Sequence, residues 1–236
     1  MPEVRPPRIR ASILAQRRRP RRDAPGARPS GRAGAAPVKW EPRAQPPTLD
    51  SSVDESAAVT TFLFTDIEGS TRLWEQAPER MRAALAAHDA IARACVADQR
   101  GTLVKSTGDG IHAVFTDPCA ALSAAVALER ALSDPAATAG IALCVRCGMH
   151  AGVEAKRDND FFGNAVNRAA RVMSVAHGGQ ILVSQTVASL VGERLPEGVS
   201  LLDLGSVRLR GLAQPERVWQ VAHPSLRREF PALRSL

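Results

Sequence analysis

Two aspartates stand at positions where their carboxylates could hold a metal ion. Asp66 follows the β-branched and aromatic run Val59–Thr65, and Asp109 lies in the turn 107–110, Thr-Gly-Asp-Gly. If the hairpin that contains this turn pairs beside the first strand, the two carboxylates lie side by side. A magnesium ion is typically held by one or two carboxylates together with substrate phosphates. The pair therefore indicates metal-assisted chemistry on a nucleotide, although taken singly Asp66 could cap a helix and Asp109 could form the turn.

The loop after Asp66 has the composition of an anion-binding segment. Gly69 allows a tight turn, and Ser70 or Thr71 can cap the helix that is predicted to follow. Backbone N–H groups at a helix N-terminus attract phosphates and other anions. The loop from Ile67 to Thr71 is therefore a candidate phosphate-binding segment beside the candidate metal ligands.

A second polar pair lies on a helix that is predicted from about Gly163 to Ala176. Asn167 and Arg171 are four residues apart, so they fall on one face of that helix. The predicted buried stripe of the helix consists of Val166, Ala170 and Met173. The amide and the guanidinium are thus available for chemistry on an adjacent face, although each residue alone is better explained by an ordinary polar helix surface.

Apolar periodicity and turn residues predict the elements that position these groups. The order β, α, β, β, α, β over the first two thirds of the body is the split βαβ, ferredoxin-like pattern. We expect an α+β fold with an antiparallel-rich sheet, helices packed on it and extra C-terminal α/β elements. Strands are predicted at 59–65, 102–106, 111–115, 141–150, 180–183, 201–209 and 217–222, and helices from Pro78 to about Gly101, from Asp117, over 163–176 and from Ser184.

The positive charge of the chain is concentrated in its first 50 residues. They hold 12 of the 31 Lys and Arg, 4 of the 24 acidic residues and 10 of the 17 prolines, whereas the formal charge of the whole chain is +7. This composition predicts a disordered tail over residues 1–57. Such a tail can bind nucleic acid weakly, but the nearly neutral remainder argues against a basic groove in the fold. No run reaches the roughly 18 apolar residues of a transmembrane helix and no apolar signal segment is present, so we expect a cytoplasmic protein.

The cysteines do not form a recognisable framework. Cys144 and Cys147 have CxxC spacing, but on a strand this odd spacing sends the two thiols to opposite faces. No second Cys or His pair at ligand spacing accompanies them. We interpret all four, Cys95, Cys119, Cys144 and Cys147, as reduced core residues.

Three motifs together resemble a known family. They are Phe64-Thr-Asp-Ile-Glu-Gly-Ser-Thr71, Lys105-Ser-Thr-Gly-Asp-Gly110 and Asp160-Phe-Phe-Gly-Asn-Ala-Val-Asn-Arg-Ala-Ala-Arg171. In this order and spacing they are similar to the catalytic domain of class III nucleotidyl cyclases, in particular bacterial adenylate cyclases. The resemblance covers about Val59 to His223, which predicts a catalytic domain at 58–223 followed by a linker-like tail at 224–236.

The resemblance implies a role for each matching residue. Asp66 and Asp109, with the Ile67 carbonyl, match the ligands of two Mg²⁺ or Mn²⁺ ions, and Lys105 and Asp160 match the pair that reads adenine. A guanylate cyclase would be expected to have Glu and Cys at the latter two positions. Asn167 matches the residue that positions the ribose, and Arg171 the residue that stabilises charge on the phosphate. The implied substrate contacts also include Gly69, Ser70, Thr71 and Arg210.

The implied activity is conversion of ATP to 3′,5′-cyclic AMP and pyrophosphate. It implies a head-to-tail homodimer in which Asp66 and Asp109 of one chain face Lys105, Asp160, Asn167 and Arg171 of the other. The residue chemistry agrees, because adenine N1 accepts a hydrogen bond and its N6 amine donates one, matching an ammonium and a carboxylate. Two alternatives remain open: a non-catalytic signalling module whose basic tail binds nucleic acid, and a guanylate cyclase.

Overall fold

The structure, a computed structural model, describes residues 58–157 and 160–234. The predicted disordered tail at 1–57 lies outside the described residues. The strands are β1 Thr60–Ile67, β2 Thr102–Ser106, β3 Ile111–Phe115, β4 Val145–Gly152, β5 Lys156–Arg157, β6 Asp160–Phe161, β7 Gln180–Ser184, β8 Ser200–Val207 and β9 Glu216–Ala222. The helices are α1 Ser70–Gln76, α2 Pro78–Asp98, α3 Pro118–Leu132, α4 Asn164–Ser174 and α5 Gln185–Val191, with a 3₁₀ turn at Pro135–Ala137. Among these helices, none is both long enough and apolar enough to cross a membrane.

Seven strands form one sheet in the order β2-β3-β1-β4-β7-β9-β8, and β5 and β6 form a separate hairpin. The first four positions, β2-β3-β1-β4, are all antiparallel and give the predicted ferredoxin-like core. Strand β7 joins β4 in parallel, and β9 and β8 continue the sheet antiparallel. The predicted α+β class with its C-terminal α/β extension is therefore confirmed.

The two faces of the sheet carry different helices. Alternate residues of β1 point to opposite faces, so Leu63 and Ile67 pack in the main core with α2, α3 and α5. Phe62 and Phe64 point to the other face, where they pack with Ala165 and Ala169 of α4. Asp66 shares the parity of Phe62 and Phe64. The candidate metal ligand on β1 therefore belongs to the face that carries α4.

The buried stripe of α4 is one residue away from the predicted stripe. Its buried members are Ala165, Ala169 and Val172, whereas the predicted Val166, Ala170 and Met173 are half-buried. The cause is a very close approach to β4. A Cβ on Gly148 would lie 2.1 Å from the Met173 backbone nitrogen, and a Cβ on Gly152 would lie 2.6 Å from the Ala165 Cβ. Small residues meet at this contact, so the larger apolar residues of α4 lie beside it.

Three further predictions about elements need correction. Strand β4 begins at Val145 rather than at 141, because its partner β1 ends opposite that residue, where Ile67 pairs with Val145. Cys144 is consequently exposed outside the strand, Cys95 and Cys119 are half-buried, and among the four cysteines only Cys147 is buried in the core. Strand β8 ends at Val207 instead of 209.

The C-terminal segment packs on the domain instead of extending as the predicted linker-like tail. The Gln220 side chain donates to the Arg228 carbonyl, and the Arg234 backbone N–H donates to the Val175 carbonyl at 3.1 Å. The Arg234 guanidinium also pairs with Glu68. Residues 224–234 therefore run from β9 to the loop that follows β1.

Candidate functional site

Hydrogen bonds hold the hairpin turn against the end of β1, and this brings the two candidate metal ligands close together. The Ile67 N–H donates to the Asp109 carbonyl at 3.2 Å, and the Ile111 N–H donates to Thr65 Oγ1 at 3.1 Å. Gly110 makes this approach possible, since a Cβ there would lie 1.9 Å from the Thr65 carbonyl oxygen. Asp66 and Asp109 are thus near each other in the structure, as predicted. The glycine at position 110 of the turn allows this close approach.

Asp66 does not cap the following helix, so the capping role considered for this residue is wrong. The N-cap of α1 is Gly69 in a left-handed conformation with φ of 71°, and no side chain caps the helix. The predicted caps Ser70 and Thr71 are instead the first residues of the helix. Glycine suits this position because other residues adopt that conformation only with strain.

Arg146 forms an ion pair with the Asp66 carboxylate, and this contact was not predicted from the sequence. It lies opposite Asp66 in the β1–β4 register, and its guanidinium pairs with Asp66 Oδ2. About a quarter of each side chain is exposed, 24% for Arg146 and 26% for Asp66, so the pair lines an accessible position. The pairing places a positive charge beside the candidate metal ligand. An arginine in a strand carries no motif signal, and only the register reveals it.

The residues around Asp66 fit a divalent cation that is completed by substrate. Within residues 58–157 and 160–234, no group of three or more His, Cys, Asp or Glu is arranged to hold a metal ion. Two carboxylates are nevertheless the usual protein contribution to Mg²⁺ when phosphates and waters supply the other ligands. Asp66, Asp109 and the Ile67 carbonyl would hold such an ion, in competition with Arg146 for the first carboxylate.

Lys105 and Asp160 form an ion pair within one chain. Lys105 Nζ donates to Asp160 Oδ2, and the Phe161 N–H donates to Asp160 Oδ1 at 2.8 Å. The hydrogen bond from Lys105 and, to a lesser extent, that from the Phe161 N–H lower the pKa of the Asp160 carboxyl, so it is ionised at neutral pH. Lys105 remains 46% exposed, and the pair is therefore accessible to a ligand.

A β-bulge aims Lys105 at this partner. The register of β2 and β3 shifts between Leu103 and Lys105, so that Leu103 faces Ala113 and Lys105 faces His112. If the register continued without the bulge, Val104 would face His112 and Lys105 would point to the other side of the sheet. The bulge thus moves Lys105 to the face that carries Phe64 and α4.

Asn167 and Arg171 are both exposed on α4, as predicted. The helix begins after Gly163, which has no side chain that could cap it. The Glu154 carboxylate caps the helix instead, because it accepts a hydrogen bond from the Ala165 N–H at 2.5 Å. An anionic group at a helix N-terminus also stabilises the helix through its dipole. Glu154 is therefore a support of α4 that has no signal in the sequence.

Arg210 lies in the loop between β8 and β9. The preceding residue, Leu209, is 3% exposed and packs in the cluster that contains Val172 of α4 and Leu182 of β7. This contact anchors the loop near α4, and Arg210 itself is exposed.

The predicted site residues fall into three groups on the chain. Asp66 and Asp109 lie at one end of β1, Lys105 and Asp160 form the ion pair, and Asn167 and Arg171 lie on the exposed face of α4. Within the described part of the chain, no hydrogen bond or ion pair connects one group to another.

The ferredoxin-like core thus brings the backbones of Asp66 and Asp109 together at the end of β1 and exposes two polar groups on α4. The family model for the adenylate and guanylate cyclase catalytic domain matches residues 53–222. The chain therefore belongs to this family.

Relatives from several organisms agree with this assignment. An uncharacterized protein of Mycobacterium tuberculosis is 36% identical over 189 residues, which are 79% of this chain and 64% of the relative, so the chain spans less than two thirds of that protein. A structure of adenylate cyclases from Trypanosoma brucei in their monomeric state is 30% identical with a TM-score of 0.67, covering 79% of this chain and 98% of that one. An adenylate/guanylate cyclase/hydrolase from Silicibacter pomeroyi is 30% identical with a TM-score of 0.60, covering 69% and 95%.

Proposed function

We propose that the protein is an adenylate cyclase that converts ATP to 3′,5′-cyclic AMP and pyrophosphate. The observation that carries this choice of base is the Lys105–Asp160 pair, whose ammonium and carboxylate complement adenine N1 and N6. Guanine presents the reversed donor and acceptor pattern at these atoms. The pair therefore favours ATP over GTP, and the adenylate cyclases of Trypanosoma brucei among its relatives agree with that choice.

In the proposed reaction the ribose 3′-oxygen attacks the α-phosphorus. A new phosphorus–oxygen bond closes the ring, the bond to the β-phosphate oxygen breaks, and pyrophosphate leaves while the 3′-hydroxyl proton passes to solvent. Two Mg²⁺ or Mn²⁺ ions bound at Asp66, Asp109 and the Ile67 carbonyl would acidify the 3′-hydroxyl and neutralise the phosphates.

The chain's own groups would bind and orient the nucleotide around that step. Lys105 and Asp160 hold the base, and the Asn167 amide orients the ribose. The Arg171 guanidinium donates charge-assisted hydrogen bonds to the phosphate as negative charge develops on it. Gly69, Ser70 and Thr71 offer backbone N–H groups to the triphosphate, and Arg210 is a further cationic contact. When a cation binds the Asp66 carboxylate, Arg146 would lose its ion pair with Asp66, and its guanidinium could then contact the same phosphates.

The site is completed in this proposal by a second copy of the chain. Asn167 and Arg171 are exposed and face away from the core, and their own chain's metal ligands lie in a separate group. A head-to-tail homodimer would place Asp66 and Asp109 of one chain opposite Lys105, Asp160, Asn167 and Arg171 of the other, giving two composite sites. We further propose that the protein acts in the cytoplasm.

Product identification tests the proposal against both alternatives. The purified full chain is incubated with Mn²⁺ and either ATP or GTP, and the nucleotides are separated and identified. Cyclic AMP from ATP, at a clearly higher kcat/KM than cyclic GMP from GTP, is the expected result. Cyclic GMP as the main product would make the protein a guanylate cyclase. If neither substrate gives a cyclic nucleotide, the remaining interpretation is a non-catalytic signalling module.

A further inference from the structure

His112 is a buried polar side chain with no assigned role at the edge of the base-reading pair. Its side chain is fully buried, and it stacks on Phe64 with ring centroids 4.3 Å apart and planes 12° apart. Among the described residues, neither ring nitrogen has a hydrogen-bond partner. Buried polar groups are nearly always paired, so an unpaired imidazole beside a candidate site calls for an explanation.

The polar group that faces His112 is the Asp160 carboxylate. His112 Nδ1 lies 3.8 Å from Asp160 Oδ1, which is beyond hydrogen-bond distance but is reached by a small side-chain rotation. Lys105, the cross-strand neighbour of His112, binds the other oxygen of the same carboxylate. Lys105, His112 and Phe64 thus form one row across three strands, with Asp160 above it.

Burial fixes the chemical form of His112. The pKa of His112 is lowered to about 4, mainly because the ring is removed from water; the Asp160 charge opposes this shift and the Lys105 charge adds to it. The ring is neutral at pH 7 and carries a single N–H, which can be placed on Nδ1 because nothing in the described chain binds either nitrogen.

We propose that His112 is a positioning residue for Asp160, donating its Nδ1–H to Oδ1 when a nucleotide is bound. Lys105 donates to Asp160 Oδ2. If Lys105 turns to the purine N1, the carboxylate loses that donor, and the His112 bond then keeps Oδ2 directed at the exocyclic amine. This inference rests on the proposed function and assigns to His112 a share in the choice of adenine over guanine.

Two substitutions separate positioning from structure. His112→Phe keeps a buried ring against Phe64 but removes both nitrogens, and His112→Asn restores a donor close to the place of Nδ1. For each variant and the wild type, kcat and KM are measured with ATP and with GTP in Mn²⁺, together with the melting temperature of the full chain.

The expected result is a change in binding rather than in turnover. His112→Phe raises the KM for ATP about tenfold, the effect of about one hydrogen bond, and lowers the ATP to GTP preference by about the same factor. Its kcat stays within about twofold of wild type, and its melting temperature does not fall, because an unpaired buried polar group has been removed. His112→Asn returns the KM for ATP to within about threefold of wild type.

A double-mutant cycle shows whether the effect passes through Asp160. In an Asp160→Ala background, His112→Phe should leave the KM for ATP unchanged. The inference is overturned if His112→Phe retains the wild-type KM and base preference, if His112→Asn fails to restore them, or if the cycle is additive. Failure of the proposed function would be distinguished from failure of this inference, because the wild-type chain itself would then produce no cyclic nucleotide.

Discussion

The end of β1, with Asp66 and Asp109, and the outer face of α4 hold their candidate site residues in different ways. At the end of β1, three features hold the hairpin turn in place: the backbone hydrogen bond from Ile67 to Asp109, the bond from the Ile111 N–H to the Thr65 hydroxyl, and the close approach of Gly110 to the Thr65 carbonyl. On α4, Asn167 and Arg171 are exposed and are placed only by the position of the helix. The first region is assembled by one chain's own fold, whereas the second presents its groups to whatever lies outside it.

The difference bears on how the activity is controlled. In the proposed reaction, Asp66 and Asp109 of one chain hold the cation, whereas Asn167 and Arg171 act only when a second copy of the chain brings the substrate to them. Association of chains would then govern turnover, and concentration would be an input to the signal.

The largest expected effect comes from the preformed region. Asp109→Asn keeps the turn but removes a charged metal ligand, and we expect kcat to fall about 10³-fold, as for loss of a main electrostatic contact. The measurement is cyclic AMP production in Mn²⁺. Glu79→Gln on the exposed surface of α2 is the matched control and should retain wild-type kcat. Comparable losses in both variants would contradict a metal role for Asp109.

The next effect tests whether the backbone contact matters. Gly110→Ala places a Cβ on the Thr65 carbonyl, so the hairpin turn must move away from β1 and carry Asp109 with it. We expect kcat to fall roughly 10²-fold. When mixed with an Arg171→Ala chain, the Gly110→Ala chain should still contribute its intact Lys105, Asp160 and α4, and activity should return in part. No recovery would mean that the substitution damages the whole domain.

The same contrast separates what the sequence could predict from what it could not. The hairpin at 102–115 and the neighbourhood of Asp66 and Asp109 were predictable, because Thr-Gly-Asp-Gly is a strong local turn signal and the motif spacing carried the rest. The buried stripe of α4 was predicted wrongly, because glycines on a distant strand, Gly148 and Gly152, decide which side of the helix comes close. No helical periodicity encodes that contact.

Residues that support the site through tertiary contacts also escaped prediction. Arg146, Glu154 and His112 belong to no motif, and each gains its meaning from a partner on another element. The bulge at Val104 is similar, since it is visible only in the register of β2 against β3.

The smallest effect on activity is expected in the shared core, outside both regions. Burial raises the pKa of Glu129 on α3 from 4.5 to about 8, because the residue is only 3% exposed; hydrogen bonds from the Cys147 thiol and the Val145 backbone oppose this rise without cancelling it. In the unfolded chain this group ionises near pH 4.5, while the folded chain keeps its proton until about pH 8. The free energy of unfolding therefore falls as the pH rises through this window.

Glu129→Gln removes that dependence without leaving the site unfilled. We expect the melting temperature to rise by about 5 °C at pH 8 and by less than about 1 °C at pH 5, with kcat at pH 7 unchanged. Thermal melts across this pH range provide the measurement. An equal shift at both values would mean that Glu129 is ionised in the folded chain.

Mixing two inactive chains tests most directly whether the two regions meet across a dimer. Asp66→Ala destroys the metal region and leaves α4 intact, and Arg171→Ala does the reverse. Each variant alone should be nearly inactive, and an equimolar mixture should form heterodimers with one intact composite site, recovering up to about a quarter of the wild-type cyclic AMP production per total site. A mixture that remains as inactive as its separate components, although both variants are folded and associate, would contradict shared sites.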